Sequence, residues 1–358
     1  MSSCAQAVTI ESESRDLQPE TQQTSLESGD KKLGYTVAVV GAGGISAQHF
    51  EACQMMDQLQ AVAVADLSQE RANDVAQRYG IKPYTDYKQM LEVEKPDIAV
   101  ITLPHFLHKE AALFAASQGC HILLEKPMAM NAAECDDIIE AVKAAGVKLM
   151  IGHTQHYIPE NLAAKAIIDS GELGQLVMIQ DTRHVNYYAD KRPAWFFEKN
   201  KAGGGIFMNL GSHSIDKIQL LTGSRIVEAK ASVSYYGSKG DIEGSGIAWV
   251  RTKSGIPATI CQSGYKGASK NETEIIFTDG KLKLLTSESL WISKDQKYEE
   301  VTVDRSTPPF VLQFNDLIRY IEEGIAPSAS MEYSRSIIAV VEAMYRSEET
   351  SHDQAIAD

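Results

Sequence analysis

At 358 residues, with 44% hydrophobic and 23% charged side chains, the chain is long enough for two domains of ordinary size, each with its own core. Its formal net charge of −14 argues against a nucleic-acid or anionic-membrane surface, because phosphates would be repelled. No stretch approaches the roughly 18 consecutive apolar residues of a membrane span, and five scattered cysteines without a CxxC pair suit free thiols in a reducing cytoplasm better than a disulfide framework.

Residues 1–33 are rich in Ser, Gln and Glu. They have neither the basic start and apolar centre of a signal peptide nor the composition of a transit peptide, and they read as a disordered tail. From Tyr35 the pattern changes. "YTVAVVGAGG" is a β-branched run ending in glycines, "ISAQHFEACQMM" has helical spacing, and "LQAVAVAD" is a second buried strand. "SQERANDVAQRYG" is a helix with Ser68 as N-cap and Gly80 at its end. A short strand near Lys82–Tyr84, helical "YKQMLEV", strand "PDIAVITLP", helix "HKEAALFAASQG", strand "HILLEKP", helix "NAAECDDIIEAVKAAG" and strand "VKLMIGH" continue the alternation. Alternation at this pitch means right-handed βαβ units, so residues 34–154 are expected to form a doubly wound parallel sheet. Residues 155–358 have another grammar: one helix, several long strand-like segments with few helices between them, and two closing helices. This is an α+β domain with a large mixed, mostly antiparallel sheet.

Gly41, Gly43 and Gly44, with Ile45 and Ser46, sit between the first strand and the first helix. Glycines there permit a tight turn and let backbone N–H groups approach a pyrophosphate at a helix N-terminus. The third glycine of the dinucleotide fingerprint is Ser46, a small residue that still allows close packing. Asp66 ends the next strand, where a carboxylate accepts hydrogen bonds from ribose hydroxyls and repels a 2′-phosphate. No arginine stands immediately beside it, which favours NAD over NADP.

The apolar run Ile122-Leu123-Leu124 ends in Glu125, Lys126 and Pro127. In open parallel sheets, ligands sit outside the carboxyl ends of the strands, which places this charged triplet beside a nicotinamide. Lys126 is suited to hold a substrate hydroxyl and to stabilise a developing alkoxide. Glu125 is expected to anchor the turn or the lysine, and both Glu125 and Lys126 to border the bound cofactor. Together the Gly41–Ser46 turn, "TLPHFLH", "GCHILLEKP" and "AGGGIFMNLGSHSIDKI" resemble the glucose–fructose oxidoreductase, inositol dehydrogenase and rhizopine-catabolism (Gfo/Idh/MocA) family. The resemblance runs from Tyr35 to the last helices.

It implies an N-terminal NAD(P)-binding Rossmann domain and a substrate-binding, oligomerising second domain, in a homodimer or homotetramer. It also implies a catalytic Lys126 with a cis bond before Pro127. In the family an Asp and a His face this lysine for proton transfer. Here the histidine is His213, and the aspartate position is Asn209. His213 is expected to accept the hydroxyl proton, Asn209 to bind a substrate hydroxyl, and Asp216 to act as a local anchor. Pro104 and His105 match the loop against the nicotinamide side of the cofactor. Tyr157, Arg183 and Trp195 are further substrate-binding expectations. The pairs His105/His108 and His153/His156 lack a completing ligand, so no metal is expected.

The implied activity is hydride transfer between NAD (less favourably NADP) and a secondary alcohol or ketone of a sugar, sugar derivative or cyclitol. The alternatives are a dinucleotide-sensing regulator without turnover, which the missing aspartate keeps open, and an NAD-assisted glycosidase or lyase.

Overall fold

The computed structural model describes residues 34–357, so the expected N-terminal tail, 1–33, lies outside the described residues. Six strands form the first sheet: β1 Tyr35–Val40, β2 Leu59–Ala65, β3 Lys82–Tyr84, β4 Ile98–Ile101, β5 His121–Glu125 and β6 Leu149–Gly152. All are parallel, in the order β3-β2-β1-β4-β5-β6. Their near-continuous aliphatic runs suit strands covered on both faces. Val37, Val39, Ile98, Val100 and Leu123 are fully buried, each worth about 1.5–3 kcal/mol of apolar burial.

Helices α1 Ser46–Met55, α2 Gln69–Tyr79, α3 Tyr87–Glu94, α4 His108–Ser117 and α5 Ala132–Ala145 make the crossovers. Their ends follow the local chemistry. Ser68, Asp86 and Asn131 accept backbone N–H groups at the starts of α2, α3 and α5, and Gly80 and Gly146 close α2 and α5 in the left-handed conformation. The strand order reverses between β1 and β4, which opens a crevice at the carboxyl ends of β1, β4 and β5.

The second sheet holds β7 Leu176–His184, β8 Ile226–Ser234, β9 Ser245–Thr252, β10 Pro257–Ser263, β11 Lys270–Phe277, β12 Lys281–Leu285, β13 Ser289–Ser293, β14 Tyr298–Val301 and β15 Gln354–Ala355. Its order is β14-β13-β12-β11-β7-β10-β9-β8-β15, antiparallel except for the β7–β10 pair. The remaining helices are α6 Pro159–Ser170, α7 Lys199–Ala202, α8 Ser212–Thr222, α9 Pro309–Glu323 and α10 Met331–Thr350. Helices α6, α8 and α10 pack on this sheet. β9 alternates strictly, burying Gly246, Ala248 and Val250 on one face while Ile247 and Trp249 stand exposed on the other.

Two features weld the halves. Helix α10 packs on both β8 and α5. Helix α9, which the chain pattern groups with the second sheet, returns to the first: Phe314, Leu317 and Ile318 join Val37, Phe50, Leu123 and Met150 in one cluster. Within the second half, buried Lys217 fixes α8 to the sheet. Its ammonium donates to Asp181 at 2.9 Å, Thr273 at 2.9 Å and Thr286 at 3.0 Å. That saturates its three donors.

Candidate active site

The crevice begins at the glycine turn. Gly41 has φ +105°, and a Cβ there would lie 2.8 Å from the Thr102 hydroxyl oxygen and 2.9 Å from its carbonyl oxygen, so only glycine fits. Gly43 and Gly44 border open space instead, and a Cβ added at either would meet nothing within 4 Å. The N–H groups of Gly43, Gly44 and Ile45 have no protein acceptor among the described residues. Ile45 is the N-cap of α1. Free amides at a helix N-terminus form an anion cradle, and this one fits the pyrophosphate of a dinucleotide.

Asp66 follows β2 and closes the cradle. Its carboxylate accepts the Ala42 N–H at 3.0 Å and the Ser68 N–H at 2.8 Å. No arginine adjoins it in sequence, but Arg71, in the first turn of α2, donates to it at 2.6 Å. Burial raises the Asp66 pKa, but the bonds from Arg71, Ser68 and Ala42 outweigh it and hold the carboxyl below its usual range. On the other wall, Pro104 precedes a short turn, His105–Leu107, that leads into α4.

Lys126 lies at the end of β5, followed by a cis bond to Pro127. Its ammonium donates to Asn209 Oδ1 at 2.9 Å and to the Asn209 carbonyl at 3.2 Å, leaving one donor direction free. Burial, only partly offset by Glu125, together with the facing charges of Arg183 and Arg192, lowers its pKa to about 8. Glu125 is tied on two sides. It meets His49 Nε2 at 3.0 Å and its own turn's Lys126 N–H at 3.3 Å. His49 lies edge-on to Phe310 and Phe314 of α9, and the sequence offered no sign of this partner 76 positions away.

Asn209 sits in a π-helical turn, Phe207–Gly211, that runs into α8. The turn starts where Glu243 accepts the N–H groups of Gly205 at 2.8 Å and Phe207 at 2.9 Å, and the Tyr345 hydroxyl at 2.7 Å. The Asn209 amide is held on both sides, because its Nδ2 donates to the Tyr187 hydroxyl at 3.1 Å. His213, one turn later, is half-buried, and its enclosed Nδ1 has no protein partner. Desolvation and the charges of Lys126 and Arg183 push its pKa well below the ordinary histidine value, against a weaker pull from Asp216. Asp216 is the expected anchor: it meets His156 Nε2 at 2.8 Å and the Tyr333 hydroxyl at 2.8 Å, with His153 at 3.5 Å.

The other expected residues separate. Arg183 points to the same sheet face as Asp181, two positions earlier, toward α8. Its charge lowers the pKa values of Lys126 and His213. His105 is buried, with Nδ1 2.8 Å from the Ala202 carbonyl, and it packs edge-on to Trp195 at 4.8 Å. Trp195 in turn stacks on Phe196 at 3.7 Å. Tyr157 does not join the group. Its hydroxyl donates to Asp316 of α9 at 2.9 Å, so it ties two elements together and presents no free polar atom to a ligand. Among the described residues, no three His, Cys, Asp or Glu side chains converge as a metal site, and no helix is long and apolar enough to cross a membrane.

Comparison with known proteins accounts for this arrangement. A family described as "Oxidoreductase family, NAD-binding Rossmann fold" matches residues 35–153, and one described as "GFO/IDH/MocA C-terminal domain" matches 161–283. Inositol 2-dehydrogenase of Salmonella typhimurium is 26% identical over 89% of this chain and 95% of its own. A 1-carboxy-3-chloro-3,4-dihydroxycyclohexa-1,5-diene dehydrogenase of Comamonas testosteroni is 29% identical over 50% of this chain, and the match spans only 45% of that enzyme. Levoglucosan dehydrogenase, solved with NADH, shares the fold at a TM-score of 0.84 and 20% identity, covering 91% of this chain and all of that one. The glycine cradle, the EKP turn and the two sheets thus have one source: this chain belongs to the GFO/IDH/MocA oxidoreductase family, and its first half is that family's NAD-binding Rossmann domain.

Proposed function

We propose that this protein is an NAD-dependent dehydrogenase that oxidises a secondary alcohol of a ring polyol, sugar or cyclitol, and reduces the ketone in reverse. The observation that carries the reading is Lys126: a half-buried lysine at a strand end, with one donor direction free, beside a glycine cradle that fits a dinucleotide. NAD, when bound, supplies the hydride acceptor. Lys126 Nζ binds the substrate hydroxyl, and in its neutral form takes the hydroxyl proton while the carbinol hydrogen leaves as hydride and the carbonyl forms. A pKa of about 8 suits this exchange near neutral pH. In this reading His213, which the sequence suggests as the base, takes an orienting role. An imidazolium there would face the charges of Lys126 and Arg183, so the neutral ring orients the substrate through a hydrogen bond. Asn209 holds Lys126 in place and keeps one amide hydrogen for a second substrate oxygen.

The named activities of the relatives, inositol and levoglucosan dehydrogenation, support the same substrate class. The exposed Ile247 and Trp249 on the open face of the second sheet support pairing of subunits through that face, in a dimer or tetramer. Cys53, Cys120, Cys135 and Cys261 are unpaired, which fits a reducing cytoplasm. The test is NADH absorbance with a panel of inositols, sugars and sugar acids. Turnover with one class, abolished in Lys126→Met while NADH still binds, is the expected result. Turnover at an undiminished rate in Lys126→Met, or none across the panel, overturns it.

A further inference from the structure

The pocket around Lys126 is rich in cations and has no anion of its own to spare. Arg183 Nε and Arg192 Nε are buried without a protein partner, and neither guanidinium has a carboxylate within salt-bridge distance among the described residues. By contrast, Arg71, Arg251, Arg305, Arg319 and Arg335 each meet a carboxylate. Each buried acid nearby is committed elsewhere: Glu125 to His49, Asp181 to Lys217 and Thr273, Asp216 to His156 and Tyr333. Glu243 is committed to Gly205, Phe207 and Tyr345.

The two arginines are held in place by their surroundings. The Arg192 guanidinium lies 4.0 Å above the Tyr187 ring and 4.9 Å from that of Phe196. The Tyr187 hydroxyl is bonded to Asn209, and Asn209 to Lys126. Arg183 pairs in register with Gln262 of β10, whose amide donates to Ser214, the neighbour of His213. Gln262 Oε1 and His213 Nδ1 likewise have no protein partner. A half-buried guanidinium costs desolvation unless an anion meets it. Its planar fork matches a carboxylate or phosphate.

We propose that the substrate carries an anionic substituent on its ring, a carboxylate or a phosphate monoester, and that Arg183 and Arg192 hold it across the pocket from Lys126. The inference rests on the dehydrogenase reading for the identity of the pocket, but binding tests it without turnover. Asn209 then has a purpose. A carboxylate at that position would repel the substrate's charge, and the amide keeps the hydrogen bond to Lys126 without the repulsion.

The test titrates the NADH-loaded full chain calorimetrically with matched pairs at low ionic strength: glucuronate against glucose, galacturonate against galactose, glucose 6-phosphate against glucose. The expected result is a preference of about 30-fold or more for one anionic series. Arg183→Gln and Arg192→Gln each remove most of that preference, read as the ratio of affinities within a matched pair, so that a general loss of sugar binding does not imitate it. A preference confined to the acids assigns a carboxylate, and one confined to the ester assigns a phosphate. Equal affinity within every pair overturns the proposal, and so does a loss of NADH affinity in Arg183→Gln with the preference intact, because the anion served would then be the cofactor's own phosphate. NADH absorbance run alongside separates the two readings. Neutral sugars oxidised without anion preference refute the anion site alone, whereas anions bound but never oxidised refute the dehydrogenase alone.

Discussion

Asn209→Asp puts a charge where the pocket has an amide, in contact with the group proposed to move the proton. The Asn209 Oδ1 lies 2.9 Å from Lys126 Nζ, and a carboxylate oxygen would take its place without rearrangement. At an effective dielectric constant of ~20, two unit charges ~4 Å apart attract by about 4 kcal/mol. That corresponds to about three pH units, and burial of the new carboxylate returns about one of them. The other charged and titratable groups facing Lys126 are unchanged: Glu125 on β5, His105 and His108 after β4, Arg183 on β7, Arg192 in the following loop and His213 on α8. The sign follows from the lysine's role as acceptor. Below its pKa the amine is protonated and inactive in oxidation, so log(kcat/KM) rises with pH and levels off above that pKa. The wild-type limb is expected near the Lys126 value of about 8. In Asn209→Asp it moves up by about two pH units, and oxidation near neutral pH falls roughly 100-fold. The assay is the pH profile of kcat/KM at saturating NAD, with the position of the limb as the readout. A limb unmoved by the substitution would show that Lys126 is not the titrating acceptor.

Gly41→Ala forces a side chain into a left-handed position against Thr102. It should cost about 2 kcal/mol or more and abolish NADH binding, seen as a lowered Tm without ligand-induced recovery. Lys217→Met strands Asp181 in the interior, and the expected loss is about 3–5 kcal/mol in denaturant unfolding. An unchanged midpoint would mean that Asp181 is not charged in the native state. Tyr157→Phe removes a bond to Asp316 outside the pocket. It should lower stability by about 1 kcal/mol and leave KM for the substrate unchanged, and a raised KM would return Tyr157 to the substrate.

Much of this frame was readable from the chain because it is written locally. The near-continuous apolar runs and the glycine stops give the parallel strands, and the abrupt charge after Ile122-Leu123-Leu124 marks Lys126 at a strand end. Ser68 and Gly80 bound α2 as their cap chemistry requires. What the sequence concealed depends on packing. Arg71 reaches Asp66 from the first turn of α2, a contact that the packing of the helix against the strand end decides. His49 under Glu125 and Glu243 beneath the Asn209 turn join residues far apart in sequence, with no motif to announce them. Tyr157 looked like a pocket residue because it follows β6, yet α9 returning to the first sheet places Asp316 against its hydroxyl. The surroundings of His213 were equally hidden, since desolvation and the charges of Lys126 and Arg183 hold its pKa low.

The central claim is hydride transfer assisted by Lys126, and the most direct test follows the hydrogen itself. A ring alcohol deuterated at its carbinol carbon is mixed with NAD and enzyme, and the reduced nicotinamide is analysed by mass spectrometry. Deuterium should appear in NADH with the wild-type protein and be lost at least ~100-fold in rate in Lys126→Met, with NADH affinity retained. Unlabelled NADH from the wild type, or equal labelling rates in the two proteins, would contradict the account.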